Sequence, residues 1–486
     1  MSTRKTRRQF LEDSMFAAAA AVAAASTRPI WADEPAQSSS PNERLRVAMV
    51  GVRGQGRVHL EAYINRKDVE VAYICDPDRE VGRGQVEAVA KRQPTKPDYV
   101  DDLRKALDDK SVDLVSIATP NHWHALAAIW AIQSGKDVYV EKPVSHNVSE
   151  GRRIVQAARK HGRICQTGTQ SRSNAGMIAA IEFVQGGGIG EVNLARGLCY
   201  KPRGSIGARG QYSVPDSINY DVWLGPAPVA PLTRPQLHYD WHWQWPYGNG
   251  DLGNQGIHQM DLARWGLGLK RLSNTVVSYG GRFGYEDAGD TPNTQVVMHD
   301  FGDKSLVFEV RGLTTDDLKG ARVGVIFEGT GGYVVMTSDN SGAAFDPDGK
   351  MIKKFDGGGN HFANFIQAVR SRNASDLHAD IEEGHLSSAL CHTGNISYRL
   401  GAPLSVGETL ERLHGVRTTD KAQATLERVV DHLKANKLDT DKTRIQLGAL
   451  LAFDAAAETF MDSAEANAML TREYRSPFVV PEASQV

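Results

Sequence analysis

The chain is predicted to be an α/β protein with a doubly wound parallel sheet in its first half and an α+β domain on an open, mostly antiparallel sheet in its second. Three observations predict this. Apolar strand-like runs alternate with helix-period segments from Leu45 to Thr167, a glycine-rich turn joins the first strand to the first helix, and strand-rich runs with tight turns fill the second half.

In chain order, "RVAMVGV" reads as a buried strand, Val58 to Ile64 as a helix, "VEVAYIC" as a strand and Glu80 to Lys91 as a helix. A weak third unit follows. Next come "VDLVSIAT", a helix from His122 to Gln133, "DVYVE", a helix from Ser149 to Lys160, and "RICQTG". Continuous apolar strands separated by amphipathic helices suit a sheet covered on both faces. The second half shows "EVNLARGLCY", "NTVVSYGG", "TQVVMHDFGDKSLVFEVRG" with a Gly302-Asp303 turn, and "VGVIFEGTGGYVVMTS" turning at Gly329 to Gly332. These are antiparallel hairpins, and helices from His361 and Glu382 are expected to cover one face of their sheet.

The N-terminus has another logic. Arg4, Lys5, Arg7 and Arg8 precede the apolar run Met15 to Ala25, and Ile30-Trp31-Ala32 is a small-residue cleavage site. The run is about a dozen residues, short of the ~20 that span a bilayer. It is removable and gives no stable membrane anchor. Arg7-Arg8 followed by Phe10-Leu11 has the form of a twin-arginine signal, read by an export machinery that carries folded proteins to the periplasm. The expected organisation is a signal over 1–32, a linker over 33–43, a nucleotide-binding domain over 44–167, a substrate domain over 168–450, and an extension packed on the body over 451–486. A net charge of −2 without long like-charge runs argues against nucleic acid and for a small-molecule partner. Cys75, Cys165, Cys199 and Cys391 are scattered without a CxxC pair, and no metal-ligand spacing stands out, so no metal is expected.

The first strand-to-helix turn is "GVRGQG", and Gly51, Arg53, Gly54, Gln55 and Gly56 form a candidate nucleotide cradle. A Rossmann fingerprint GxGxxG would place glycine where Arg53 stands. Arg53 can pair with the pyrophosphate or with a substrate anion. Asp76, closing the second strand, is placed to accept from the adenosine ribose and to repel a 2′-phosphate, which favours NAD over NADP, although Arg79 stands nearby.

The segment "ATPNHWHALAAIWAIQSGKDVYVEKPVSHN", Ala118 to Asn147, resembles the glucose-fructose oxidoreductase, inositol dehydrogenase and rhizopine-catabolism (Gfo/Idh/MocA) family, and the resemblance covers nearly all residues from 45 onward. "HFANFIQAVRSRN" and "YRSPFVVP" resemble its exported, twin-arginine-tagged members. The resemblance implies that Glu141 and Lys142 of "EKP" lie at the cofactor, with Lys142 reaching the nicotinamide ribose and the reacting hydroxyl, and that Pro120, Asn121 and His124 border it. It places a catalytic aspartate and histidine four residues apart on a helix. Here His258 matches the histidine, but Asn254 replaces the aspartate, and Asp261 lies near the same face. Lys142, His258, Asn254 and Asp261 are the candidate catalytic set, with His258 as acid or base. Tyr200, Lys201, Asp240, Trp241 and His242 are candidate substrate contacts, the alternating Trp241, Trp243 and Trp245 offering flat faces to a sugar ring from an extended segment. The implied function is NAD(P)-dependent oxidation of a sugar or cyclitol hydroxyl with a tightly bound NAD cofactor in a homo-oligomer. The alternatives are a redox-neutral NAD-dependent glycosidase and a non-catalytic sugar-binding protein.

Overall fold

Six strands, β1 (Leu45–Val50), β2 (Val69–Cys75), β3 (Asp98–Val100), β4 (Leu114–Ile117), β5 (Asp137–Val140) and β6 (Cys165–Thr167), form one parallel sheet in the order β3-β2-β1-β4-β5-β6. The structure is a computed structural model and describes residues 43–486; the signal and nearly all of the linker lie outside the described residues. Strand order reverses between β1 and β4, and the crevice at their carboxyl ends is where such sheets bind ligands. β1, β4 and β5 are buried almost throughout because helices cover both faces.

The helices begin earlier than hydrophobic periodicity predicts, at Gln55, Arg79, Asn121 and Val148, and those at Arg79 and Val148 are opened by polar caps that are silent in that pattern. Asp78 accepts from the Glu80 and Val81 amides, and Asn147 accepts from the Glu150 amide.

The second sheet has twelve strands. Its centre runs β14 (Met351–Phe355), β13 (Gly342–Phe345), β12 (Gly332–Met336), β11 (Val323–Gly329), β7 (Val192–Tyr200), β10 (Ser305–Arg311), β9 (Thr294–Asp300) and β8 (Thr275–Gly281), all antiparallel except the β7–β10 pair. Along β7, Ala195 and Cys199 face the helices Gly256–Gly266 and Ile381–Arg399 in the main core, with Ile257, Met260, Phe308 and Leu390. Leu194 faces the other way, under the helices Val406–Leu413 and Ala422–Ala435. Helices on one face were expected; both faces carry them, because the segment after β15 (Ala402–Leu404) folds back over β8 to β10.

Two late segments return to the first sheet. Phe362 and Phe365, on the helix His361–Ser371, pack on Tyr139, with Phe362 stacked at 4.7 Å. Near the C-terminus, Phe478 meets the Trp123 ring edge to face at 5.5 Å, and Tyr474 donates to Glu150. All four cysteines are buried free thiols, and no helix among the described residues is long and apolar enough to cross a membrane.

Candidate functional site

The glycine turn is shaped by sterics. Gly51 has φ +79°, and a Cβ there would lie 2.7 Å from the Ala118 carbonyl oxygen; a Cβ on Gly56 would lie 2.0 Å from that of Gly51. The residue in the left-handed region at the tip is Gly54, φ +46°, which also caps the helix Gln55–Ile64. Arg53 therefore keeps ordinary backbone geometry and is exposed, its charge acting on Asp76 and His238. Moving the glycine one place along preserves the turn, whose Gly56 and Arg57 amides bond back to the Arg53 and Gly54 carbonyls at 2.8 and 3.1 Å.

Asp76 is buried and accepts from the Val52 amide at 3.0 Å and the Asp78 amide at 2.9 Å. Burial raises its carboxyl to about 6, against the pull of those two amides. Beyond β4, the Thr119 hydroxyl and the Asn121 side-chain oxygen are buried without a hydrogen-bond partner among the described residues. Pro120, not Asn121, is the N-cap. A glycine-lined turn, a carboxylate at the end of β2 and unsatisfied polar atoms at the end of β4 together fit a dinucleotide.

At the other end of the crevice the sequence places a carboxylate beneath an amine. Glu141 is buried and accepts from His59 Nε2 at 3.1 Å, Gln55 Nε2 at 3.2 Å and Gln170 Nε2 at 3.0 Å. Burial alone would raise its pKa, but the His59 hydrogen bond and the Lys142 ammonium hold it at about 2. Of these partners Gln55 is exposed, so the Gln55 and Glu141 pair links the groove surface to a buried carboxylate. Lys142 stands above, after β5, with a cis bond to Pro143. Burial and the neighbouring Arg203 charge lower its pKa, opposed by Glu141. His124 is likewise enclosed, its Nδ1 2.6 Å from the Pro143 carbonyl oxygen and its Nε2 2.8 Å from that of Thr119; burial favours the neutral ring, whose one N–H donates to one of the two.

Asn254 contributes in an unexpected way. A single helix across Asn254 and His258 was expected to align their side chains. Instead the helix Gly250–Asn254 ends and a second, Gly256–Gly266, begins after Gln255. The His258 amide bonds to the Gln255 carbonyl, and the Asn254 carbonyl is left to accept from Lys142 Nζ at 3.1 Å. The backbone of Asn254 therefore orients the lysine. His258 Nδ1 is buried without a partner among the described residues. Burial and the Lys142 charge push His258 down to about 4, so it is neutral at pH 7.

Asp261 acts on His258 only through its charge and makes its hydrogen bonds elsewhere. It takes a bidentate pair from Arg172, at 2.7 and 2.8 Å, and a hydrogen bond from Ser387 at 2.7 Å, all buried. These bonds make it a strut between the segment after β6 and the helix Gly256–Gly266. Asp261→Asn should cost about 1–3 kcal/mol, since it weakens a buried bidentate pair while Glu383 remains as a partner of Arg172. Urea unfolding monitored by circular dichroism is the check, and NAD content should be unchanged.

The substrate-side calls divide. Tyr200 is corrected: it points to the outer face of the sheet and donates to Glu309 at 2.8 Å, as the period-two alternation of β7 requires once Cys199 faces inward. Lys201 is exposed. The extended aromatic segment is also corrected, because Asp240–Trp243 forms a 3₁₀ turn. In it Trp241 stacks on His242 at 3.6 Å, Trp243 is buried, and Trp245 is half-buried. Burial lowers His242 to about 3, with Lys142 and Arg203 adding to the shift. Arg203 makes a bidentate pair with buried Asp251, at 2.9 and 2.6 Å, and lies over the Trp243 ring at 5.3 Å. The charges of Arg203 and Asp251 act on both Lys142 and His242, and the Lys142 charge acts on both His242 and His258. Sequence reading missed His59, Arg172 and His238, whose partners are remote in the chain and leave no local motif.

With this geometry in place, comparison with known proteins is informative. A family model described as "Oxidoreductase family, NAD-binding Rossmann fold" matches residues 45–169, and one described as "Oxidoreductase family, C-terminal alpha/beta domain" matches residues 203–419. The chain is similar to an alpha-N-acetylgalactosaminidase of Shewanella oneidensis, 31% identical over 154 residues, which are 31% of this chain and 34% of that protein. A glycosyl hydrolase family 109 protein of another Shewanella is 30% identical over 205 residues, 38% of this chain and 44% of that protein. The chain thus matches less than half the length of these curated relatives. Among solved structures, the WlbA dehydrogenase of Bordetella pertussis in complex with NADH and UDP-GlcNAcA has a TM-score of 0.54 at 19% identity, covering 71% of this chain and 94% of that one. GenD2 from gentamicin A biosynthesis, in complex with NAD, has the same TM-score and identity over 75% of this chain and 95% of that one. At such identities these two likenesses concern the fold.

Proposed function

Because this chain belongs to the Gfo/Idh/MocA oxidoreductase family, we propose that it is an NAD-dependent enzyme acting on a sugar hydroxyl, and that it uses this chemistry to open a glycosidic bond without net oxidation. The observation that carries the reading is the Lys142 ammonium, held by the Asn254 carbonyl at 3.1 Å beside an uncharged His258 at the carboxyl edge of β5. The names of the Shewanella relatives support the glycosidase form and an N-acetylgalactosaminide as its substrate.

Gly51, Gly54, Gly56 and Asp76 would hold the dinucleotide, with Thr119 and Asn121 supplying polar atoms that lack protein partners. The carboxylates of Asp76 and Asp78 disfavour a 2′-phosphate, which supports NAD over NADP. When bound, the nicotinamide supplies a two-electron acceptor that can return what it takes. Burial weakens the hold of Lys142 on its proton, and once that proton is shed the neutral amine takes the proton of the reacting hydroxyl and later gives it back. His258, neutral, removes the proton from the carbon beside the new carbonyl and the aglycone leaves with the bonding pair; water then adds, its hydroxide going to the sugar and its proton to the aglycone. The electrons and both protons return to the sugar, so the balance is one water consumed and one glycosidic bond broken. Such a cycle needs no free pool of NAD. That fits a tightly held cofactor and the twin-arginine signal of residues 1–32, which supports export of the folded protein to the periplasm. The exposed Met351 and Ile352 of β14, beyond the two covering helices, support a homo-oligomer.

The test is hydrolysis of p-nitrophenyl α-N-acetylgalactosaminide in D₂O. Nitrophenol release with deuterium at C2 of the freed sugar is expected. Release without deuterium would rule out the elimination route, and equal amounts of oxidised and reduced sugars without release would favour a net oxidoreductase.

A further inference from the structure

Residues 205–247 leave the second sheet after β7 and run across the carboxyl edge of the first. At the end of β2 the Arg79 amide donates to the Ser217 carbonyl at 2.8 Å, the Asn219 amide donates to the Pro77 carbonyl at 2.8 Å, and His238 Nε2 meets Asp78 Oδ2 at 2.9 Å. After β4, the Trp123 indole N–H donates to the Val222 carbonyl at 3.0 Å, and the His122 amide donates to that of Tyr247 at 3.3 Å. After β5, His146 Nε2 donates to the Trp245 carbonyl at 2.8 Å. The segment has a core of its own, in which Ile218, Trp223, Leu224, Leu232, Leu237 and Tyr247 pack together. The buried Arg234 guanidinium lies over the Trp223 and Tyr247 rings at 5.4 and 5.3 Å. It is therefore a rigid body fastened at three points beside the crevice, not a loose loop.

We propose that this segment is a strap over the nucleotide groove that makes the dinucleotide a resident group, and that His238 is the residue fastening it at the adenosine end. The inference rests on the NAD reading above and goes beyond it by naming what retains the cofactor. Most fastenings use backbone atoms, which side-chain substitution leaves intact. Asp78 and Asn219 also cap helices, so changing either would disturb more than the strap. His238 caps nothing, is partly open to solvent, and acts through Asp78, the neighbour of the ribose carboxylate Asp76. It is a positioning residue.

The experiment uses the full chain purified with NAD, with exchange of bound NAD against excess isotopically labelled NAD followed by mass spectrometry. The wild type should exchange over hours. His238→Ala should exchange roughly 10- to 100-fold faster, the range expected for losing one hydrogen bond to a carboxylate, with kcat at saturating NAD unchanged. His238→Gln, which keeps a donor, should restore slow exchange. If His238→Ala does not fold, His238→Asn, too short to reach Asp78, makes the same cut. Exchange at the wild-type rate in these cuts, or wild-type exchange within seconds, overturns the strap while leaving NAD binding intact. A protein that binds no NAD even when it is added overturns the NAD reading and the strap with it.

Discussion

Lys142→Ala should lower turnover by about 10²- to 10⁴-fold while the purified protein still carries NAD. The magnitude is that of a positioned acid-base group. Cofactor retention is expected because the cradle of Gly51, Gly54 and Gly56 and the Asp76 carboxylate lie at the other end of the crevice. Lys142→Arg should not rescue. A guanidinium keeps its proton at any accessible pH, and its planar fork does not fit a single carbonyl acceptor such as that of Asn254. The check pairs steady-state kinetics on the nitrophenyl glycoside with NAD quantified after denaturation. Loss of both activity and NAD would assign Lys142 to cofactor binding alone, and unchanged activity would remove it from the chemistry.

His258→Gln should cost a similar factor, about 10²- to 10⁴-fold, and the wild-type pH profile should show why. Burial and the Lys142 charge depress His258 to about 4, so the neutral form, which accepts a proton, persists at mildly acidic pH. In the wild type the limb of kcat/KM that belongs to His258 should lie at about 4, where His258 becomes charged as pH drops. The same depression affects stability. In the unfolded chain the imidazole takes a proton below about 6.5, whereas in the fold it stays neutral until about 4. Its contribution is therefore fully present above about 6.5 and lost as pH falls from there toward 4. A profile whose acid limb lies near 6.5 would mean that His258 is solvated and ordinary.

Much of this could be read from the sequence, and the division follows from the range of the interactions. The parallel sheet, the glycine turn and the Lys142 position are local patterns: apolar period, a left-handed turn, a short motif at a strand end. Even the substitution of Arg53 was legible, although the reason that it is tolerated, the left-handed tip at Gly54, needed the backbone. Tyr200 was misread because one step along β7 decides which face a side chain takes, and the quoted run does not show which residues face inward. The strut made by Asp261 was not legible because its partner Arg172 lies on a separate segment after β6. Asn254 was read from a spacing that assumes an unbroken helix. No pattern of side chains announces the interruption at Gln255.

That interruption bears on how the site is to be mapped. The group that steers Lys142 is a peptide oxygen, which every amino acid at position 254 would supply equally. Alanine scanning is blind to it, and a tolerant position 254 would be mistaken for an idle one. The determinant is the chain trajectory between Gly250 and Gly256, so backbone chemistry, such as an ester in place of an amide or a change in the number of residues joining the two helices, addresses it where side-chain replacement cannot. By the same logic, relatives can differ freely in side chain at this point and still present the same oxygen to the same ammonium, so long as the path of the chain is kept.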